Sequence, residues 1–325
     1  MPAKTLVIIN PQSAGGTTGR RWPEVEPLLR ATLGEFEVQR TLGRRDAERI
    51  AREAVRAGVQ RLVVAGGDGT TSEVVSGLLA AGVASEAQVG VLPMGTGRDL
   101  PRTLGIPSDL GAAIEALGRG ATRRVDALRV GYRDRQGAER QAWSINVTSF
   151  GLSGLTVELV TRAPRFLGGS FAFLLGALGS IARYRPTRVR ILADGEEVCD
   201  EPIVLTALAN GQYFGGGMHI APDASPDDGA LDLVVVREIS KLGLVKALPS
   251  LYRGTHLTNP AVSHHRATHI EALPVEGDPE RVWIDVDGEG LGTLPIRVEL
   301  LPRAVTLFGA TPATPAESST SATGS

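Results

Sequence analysis

The chain has 325 residues, enough for two medium domains, and 42% of them are apolar, enough for a real core. A formal net charge of -2 gives no global pull toward nucleic acid, so no nucleic-acid partner is expected. The single cysteine, Cys199, excludes an internal disulfide framework, argues against a cysteine-built zinc site, and fits a reducing, cytoplasmic setting. No run of about 18 apolar residues occurs, so no membrane span is expected. Lys4 precedes only the short run Leu6–Ile9, which is not a signal-peptide pattern.

Leu6–Ile9 reads as a first buried strand. A Ser/Gly/Thr-rich loop then leads into a helix over Trp22–Leu33. Phe36–Thr41 alternates as a strand does. In Asp46–Ala57, Ile50, Ala54 and Ala57 recur at helical spacing behind a capping Asp46. Leu62–Ala65 is a further buried strand, Thr71–Ala81 a helix, Val89–Leu92 a strand and Leu110–Leu117 a helix. Short apolar strands alternating with helices predict an open, largely parallel α/β sheet covered by helices over residues 1–125.

From residue 126 to 310 the texture turns β-rich. Strands are predicted at Asp126–Tyr132, Ala142–Val147, Thr187–Leu192, Ile203–Ala209, Leu231–Val236, His269–Ala272, Arg281–Asp287 and Ile296–Leu300. Helices are predicted at Thr156–Thr161, Phe171–Tyr184 and Lys241–Tyr252. This pattern predicts an antiparallel, β-sandwich-like second domain, with the last strand free to return to the first. The Ser/Thr/Ala/Pro/Gly-rich residues 311–325 read as a disordered tail.

The chemistry-bearing segments sit at strand ends. Leu62–Ala65 runs into Gly66-Gly67-Asp68-Gly69-Thr70 and then a helix. Glycines at such a corner let backbone amides approach phosphate oxygens, and the helix N-terminus favours negative charge. Asp68 could steer magnesium or a phosphoryl group, and Thr70 could cap the helix or donate to phosphate. An ordinary tight turn is the bland alternative. Asn10-Pro11-Gln12-Ser13-Ala14-Gly15-Gly16 follows the first strand, at the carboxyl edge where open α/β sheets bind ligands. Leu92-Pro93-Met94-Gly95-Thr96-Gly97-Arg98-Asp99 follows the fourth. Asn210-Gly211-Gln212-Tyr213-Phe214-Gly215-Gly216-Gly217 leads to Asp227-Asp228-Gly229, whose carboxylates suit either a hard cation or a plain hairpin. Asp287-Gly288-Glu289 leaves a strand, and a carboxylate there can accept a hydroxyl proton if it reaches the site. No Walker A loop and no protein-kinase motif set is present.

Together these segments resemble the bacterial diacylglycerol kinase-like lipid kinases, within the diacylglycerol, sphingosine and NAD kinase superfamily, over about Leu6 to Phe308. The resemblance implies ATP as phosphoryl donor and Mg2+ as its cation. It implies nucleotide contacts from Asn10, Pro11, Gln12, Ser13, Ala14, Thr41, Gly66, Gly67, Asp68, Gly69, Thr70, Thr71, Ser72, Glu73 and Thr96. It implies catalytic roles for Asp68, Asp99 and, as proton acceptor, Glu289. It implies a structural magnesium on the Asp228 carboxylate and the carbonyls of Ser225 and Ala230. Ser72 and Arg98 depart from the family's usual asparagines. The acceptor is expected to be a lipid hydroxyl, diacylglycerol-like, reached by peripheral contact with a membrane surface. An NAD kinase and a non-catalytic nucleotide-binding sensor remain as alternatives, and the oligomeric state is open, a homodimer included. Arg183, Arg185, Arg188 and Arg190 read as a solvated strand face or as contacts for anionic headgroups. His264, His265 and His269 lack carboxylates at metal-ligand spacing.

Overall fold

A computed structural model describes residues 3–162, 169–275 and 282–310; the predicted disordered tail lies outside these residues. Five segments build the first sheet. β1 (Thr5–Ile9), β2 (Glu37–Arg40), β3 (Arg61–Gly66) and β4 (Gln88–Pro93) pair in parallel in the order β2-β1-β3-β4. β1, β3 and β4 are apolar along nearly their whole length because helices cover both of their faces. Those helices are α1 (Thr17–Leu33), α2 (Asp46–Arg56), α3 (Asp68–Ala80), the one-turn α4 (Asp99–Thr103) and α5 (Leu110–Arg119).

α1 begins five residues before its predicted start. In α2, Asp46 is the first helical residue rather than the cap, and its carboxylate accepts the Leu42 N–H at 2.8 Å. α2 presents Ala47, Ile50, Ala51, Ala54 and Val55 to the core. It meets α3 so closely at Gly77 that an added methyl would lie 2.3 Å from the Glu48 carbonyl oxygen.

The second domain comprises β5 (Thr122–Arg133), β6 (Glu139–Ser144), β7 (Val147–Gly151), α6 (Leu152–Arg162), α7 (Gly169–Arg183), β8 (Thr187–Ala193) and β9 (Glu196–Ala209). It continues with the short pair β10 (Tyr213–Phe214) and β11 (Met218–His219), then β12 (Leu231–Arg237), α8 (Lys241–Arg253), β13 (Val262–Ala267), β14 (His269–Pro274), β15 (Trp283–Val286) and β16 (Glu289–Phe308). The antiparallel pairings β8–β9–β7–β15–β16–β14–β8 form a closed circuit, giving a β-sandwich-like body around Phe150, Ile191, Leu208, Leu233, Ile284 and Val298.

β16 ties the domains together. It pairs with β5 along most of its length, and its end (residues 306–308) lies parallel to β4, so the first sheet ends β3-β4-β16. β5 itself runs unbroken across residues 125 and 126.

Gly77→Ala is expected to lower stability by about 1–3 kcal/mol, because backbone must yield to the new methyl. Gly43→Ala meets no atom within 4 Å and serves as the neutral control. Urea unfolding midpoints check the pair; equal midpoints would show that the helix crossing is not tight.

Candidate active site

The predicted strand Ala142–Val147 is interrupted, and the interruption builds the site. β6 stops at Ser144 and β7 starts at Val147 because the intervening backbone turns its amides onto one carboxylate. Asp287 Oδ1 accepts from Ser144 Oγ at 2.6 Å and from the amides of Asn146 and Val147 at 3.1 Å. Its Oδ2 accepts from the Ile145 amide at 3.0 Å and from Ser72 Oγ on α3 at 2.7 Å. Asp287 and Gly288 have φ of 48° and 88°, the two left-handed residues of a two-residue hairpin between β15 and β16. Burial pushes the Asp287 carboxyl up from its ordinary value in spite of these donors.

Two cavities adjoin this carboxylate. The larger, of about 480 Å³, has Asp68, Thr96, Gly97, Asp99 and Gly288 at one part of its wall. Another part is apolar and comes from α6, α7 and α8, including Val157, Val160, Ile181, Leu248 and Leu251. The smaller, of about 300 Å³, is lined by Gly69, Ser72, Glu73, Trp143 and Glu289. Asp287 lines both. The predicted residues therefore divide around the Gly66–Thr70 corner. Asp68, Asp99 and Thr96 face the larger cavity, whereas Ser72, Glu73 and Glu289 face the smaller.

The corner is held by backbone. Met94 and Gly95 amides donate to the Gly66 carbonyl at 2.9 and 2.8 Å, and a methyl on Gly95 would lie 2.3 Å from Gly67 Cα. Thr70 does not cap α3; its Oγ1 accepts from Asn10 Nδ2 at 3.0 Å, and Thr71 Oγ1 donates to the Gly67 carbonyl at 3.4 Å. Asn10 also takes the Gln12 amide at 3.1 Å, and Pro11 and Ala14 complete the turn into α1. Ser13 Oγ sits 2.5 Å from Thr18 Oγ1, which donates to the Met94 carbonyl. The buried Thr41 closes β2 with its amide on the Ile9 carbonyl at 2.9 Å. The segment 10–14 and Thr41 thus frame the corner without lining either cavity.

Asp68 Oδ2 accepts the Asp99 amide at 2.8 Å. Burial first, and then the Asp99 and Asp287 charges, push the Asp68 carboxyl up to about 6. Asp99 is buried, accepts the Gly216 amide at 2.7 Å, and is also pushed up by burial. Asp285, buried behind the hairpin, is pushed up to about 7. Glu73 is turned to the start of α2, taking the Ala47 amide at 3.3 Å, and burial raises it too. Among the described residues the Glu289 side chain has one hydrogen-bond partner, Arg44, 3.1 Å away across the domain junction.

Sequence reasoning missed three side chains. Arg102 pairs with Asp99 at 3.2 Å, stacks over the Tyr213 ring at 5.0 Å and lines the larger cavity; its signal was the i, i+3 spacing from Asp99. Arg44 and Asp285 carried no local pattern. Arg98, in contrast, turns its guanidinium to the carbonyls of Gly95 and Ser108. The expected metal loop lies elsewhere and lines neither cavity. Asp228 takes the Ala230 amide at 3.1 Å and pairs with Arg266, and its own amide reaches the Ser225 carbonyl at 3.4 Å. The adjacent Asp227 pairs with Arg123.

This phosphate-type corner facing a carboxylate hairpin is accompanied by sequence kinship. Residues 4–130 match the diacylglycerol kinase catalytic domain, and residues 146–309 match the YegS C-terminal NAD kinase beta sandwich-like domain. A protein of Chromohalobacter salexigens named "Probable lipid kinase YegS-like" is 32% identical over 310 residues, covering 93% of this chain and 92% of its own. A diacylglycerol kinase of Staphylococcus carnosus is 30% identical over 298 residues, covering 91% of each. A crystal structure of a diacylglycerol kinase from Bacillus anthracis superposes with a TM-score of 0.69 at 22% identity, over 95% of this chain and 97% of that one, a likeness of fold. The molecule is thus a phosphotransferase of the kinase class. The chain belongs to the diacylglycerol kinase family of lipid kinases.

Asp68 links the site to stability. Its carboxyl holds a proton in the folded chain at pH values where the unfolded chain has lost it. The group therefore favours folding fully below its ordinary value near 3.8, and that contribution is lost as pH rises through about 6. Asp68→Asn is expected to stabilise the protein without added ligand by about 1–2 kcal/mol at pH 8, allowing for partial solvent access, with the gain shrinking toward pH 4.5. Urea midpoints at the two pH values test this; a pH-independent difference would remove the electrostatic account.

Proposed function

We propose that the protein transfers the γ-phosphoryl group of ATP, with Mg2+, to the hydroxyl of a lipid of diacylglycerol type. The observation that carries this reading is the larger cavity, which joins a carboxylate-bearing phosphate corner to hydrocarbon walls from three helices. An acceptor with a polar head and an apolar tail suits both parts.

Asp68 and Asp99 fit a magnesium ion that arrives with phosphate groups. Burial pushes the protonation of both upward in spite of Arg102 beside Asp99, and magnesium commonly uses one or two carboxylates beside phosphate oxygens. Among the described residues no group of three or more His, Cys, Asp or Glu side chains could hold a metal by itself. When bound, the ion offsets charge on the phosphate oxygens. The second expected ion, at Asp228 with Ser225 and Ala230, fits less well, because Asp228 Oδ2 already meets a guanidinium; no step runs through it.

The chain's own groups do the rest. Backbone amides of Gly67 and Gly69 at the start of α3 are placed to orient phosphate oxygens, whereas the Thr70 amide is taken by the Gly67 carbonyl at 3.0 Å. Arg102 brings positive charge to the cavity wall beside Asp99. Ser153 lines the cavity, and its buried hydroxyl has no partner among the described residues, so it is available to an oxygen-bearing substrate. Asp287 is filled by five donors and holds the hairpin. Glu289, with its single partner, is the proposed acceptor of the hydroxyl proton; it lines the smaller cavity, so the hydroxyl has to reach it past Asp287, which lines both. A lipid acceptor would be met at a membrane surface in this reading; among the described residues no helix is long and apolar enough to cross a membrane.

Labelled ATP, Mg2+ and a fractionated lipid extract are expected to give a labelled lipid, while NAD stays unlabelled. Phosphorylated NAD would replace the lipid reading with the dinucleotide one, and ATP binding without transfer to any acceptor would leave a nucleotide-binding protein. Glu289→Gln is expected to lower kcat by about 10²–10⁴-fold with nucleotide affinity retained, and Asp68→Ala to abolish turnover nearly completely. An unchanged kcat in either variant removes that residue from the chemistry.

A further inference from the structure

We infer that the outer face of α8, together with the end of α7, is the surface by which the protein docks on an anionic lipid bilayer, so that the larger cavity opens toward the membrane. This rests on the lipid-kinase reading of the preceding section and assigns the face on which the acceptor is delivered.

Four observations converge. First, α8 has no buried residue, although it is apolar along two faces. One face, with Leu248 and Leu251, lines the larger cavity. The other carries Leu242, Val245, Pro249 and Tyr252 at spacings of three, four and three, a single helical stripe. On it Leu242 is 64% exposed, Val245 41% and Tyr252 49%. Leucine and valine so placed gain nothing in water, and a stripe of this kind lies readily in a headgroup boundary.

Second, the stripe is continuous with the cavity. Tyr252 belongs to both, and on α7 Ala177 and Ile181 line the cavity while the adjacent Leu178 is 40% exposed. A chain leaving the bilayer would find apolar surface all the way in. Third, the two helices form one platform: Lys241 at the start of α8 donates to the Ala182 carbonyl at the end of α7.

Fourth, the charge has one sign. Residues 159–193 and 239–270 contain no Asp or Glu, in a chain with 36 acidic and 34 basic residues, while they hold Arg183, Lys241, Lys246 and Arg253 among other cations. Lys246 and Arg253 flank the apolar stripe, where long basic side chains reach lipid phosphates while their stems lie on hydrocarbon. An acidic bilayer satisfies both the cations and the leucines.

The test uses the full chain with vesicles of phosphatidylcholine alone and with phosphatidylglycerol added. The unmodified protein is expected to float with the anionic vesicles and to be released by high salt. Leu242→Glu/Val245→Glu and Lys246→Glu, all outside the cavity wall, are expected to weaken that binding by about ten-fold and five-fold respectively. Turnover of a diacylglycerol embedded in vesicles should fall in parallel. Turnover of a short-chain diacylglycerol dispersed in neutral detergent should be unchanged, which also shows the variants are folded. Wild-type binding and embedded-substrate turnover in the variants would overturn the docking face, as would failure of the unmodified protein to bind anionic vesicles. Failure of the unmodified protein to phosphorylate the dispersed lipid while still floating through α8 would instead overturn the kinase reading and leave the surface assigned.

Discussion

The site depends on one carboxylate that the fold surrounds with donors. Asp287 collects two hydroxyls and three amides from α3 and from the link between β6 and β7. Burying a charge is costly, and here the cost is offset only when every lone pair is used. The requirement propagates outward. The β6–β7 link must leave the strand ladder to offer its amides, Ser72 must face across the domain junction, and the hairpin must place two residues at positive φ. The same turn then directs Gly288 to one cavity and Glu289 to the other. Ser72 meets the geometry with a hydroxyl where the family's usual residue is an amide.

Around this anchor the remaining acids are left undercompensated. Asp68, Asp99 and Asp285 are all raised by burial, and Asp68 and Asp285 are raised further by the Asp287 charge. A structural network would have matched them with cations. In this site Arg102 reaches Asp99, while Arg44 lies on Glu289 and the cavity-lining Arg45 and Arg140 pair with Glu48 and Asp134. Such a surplus of negative charge costs stability in the free protein and would be relieved by a cation arriving with a ligand, in keeping with the proposed metal-bound phosphate.

Much of this was legible in the sequence, and the illegible parts share a cause. Leu6–Ile9, Leu62–Ala65 and Val89–Leu92 were readable as parallel strands because helices on both faces make them continuously apolar. The loops after them were readable because glycine and carboxylates at a strand end have few structural uses. Ala142–Val147 looked like one strand because its apolar alternation is intact; what breaks it is a carboxylate 140 residues away in the chain, at Asp287. β16 showed only Ile296–Leu300, because Pro295 and Pro302 interrupt the pattern of a strand that crosses from one domain to the other. α4 was too short for periodicity to register. The helices lining the larger cavity carry the same Leu, Val and Ile as any core helix, so nothing local distinguishes a wall around space from a wall around side chains.

That wall also bears on the choice of acceptor in the proposed reaction. A dinucleotide acceptor would bring its own phosphates and ribose hydroxyls into the larger cavity. Beyond the corner taken by the donor phosphates, these polar groups would face Val160, Ile181, Leu248 and Leu251, which offer no hydrogen bond. Each polar group buried against such a wall loses water without replacement, at roughly 1–3 kcal/mol per group, and several such losses exceed what one well-made contact returns. A long hydrocarbon incurs no such loss and gains about 0.8 kcal/mol for each methylene removed from water. Under the proposed lipid-kinase reading, discrimination would lie less in recognising the head of the acceptor than in rejecting polar groups along the tail.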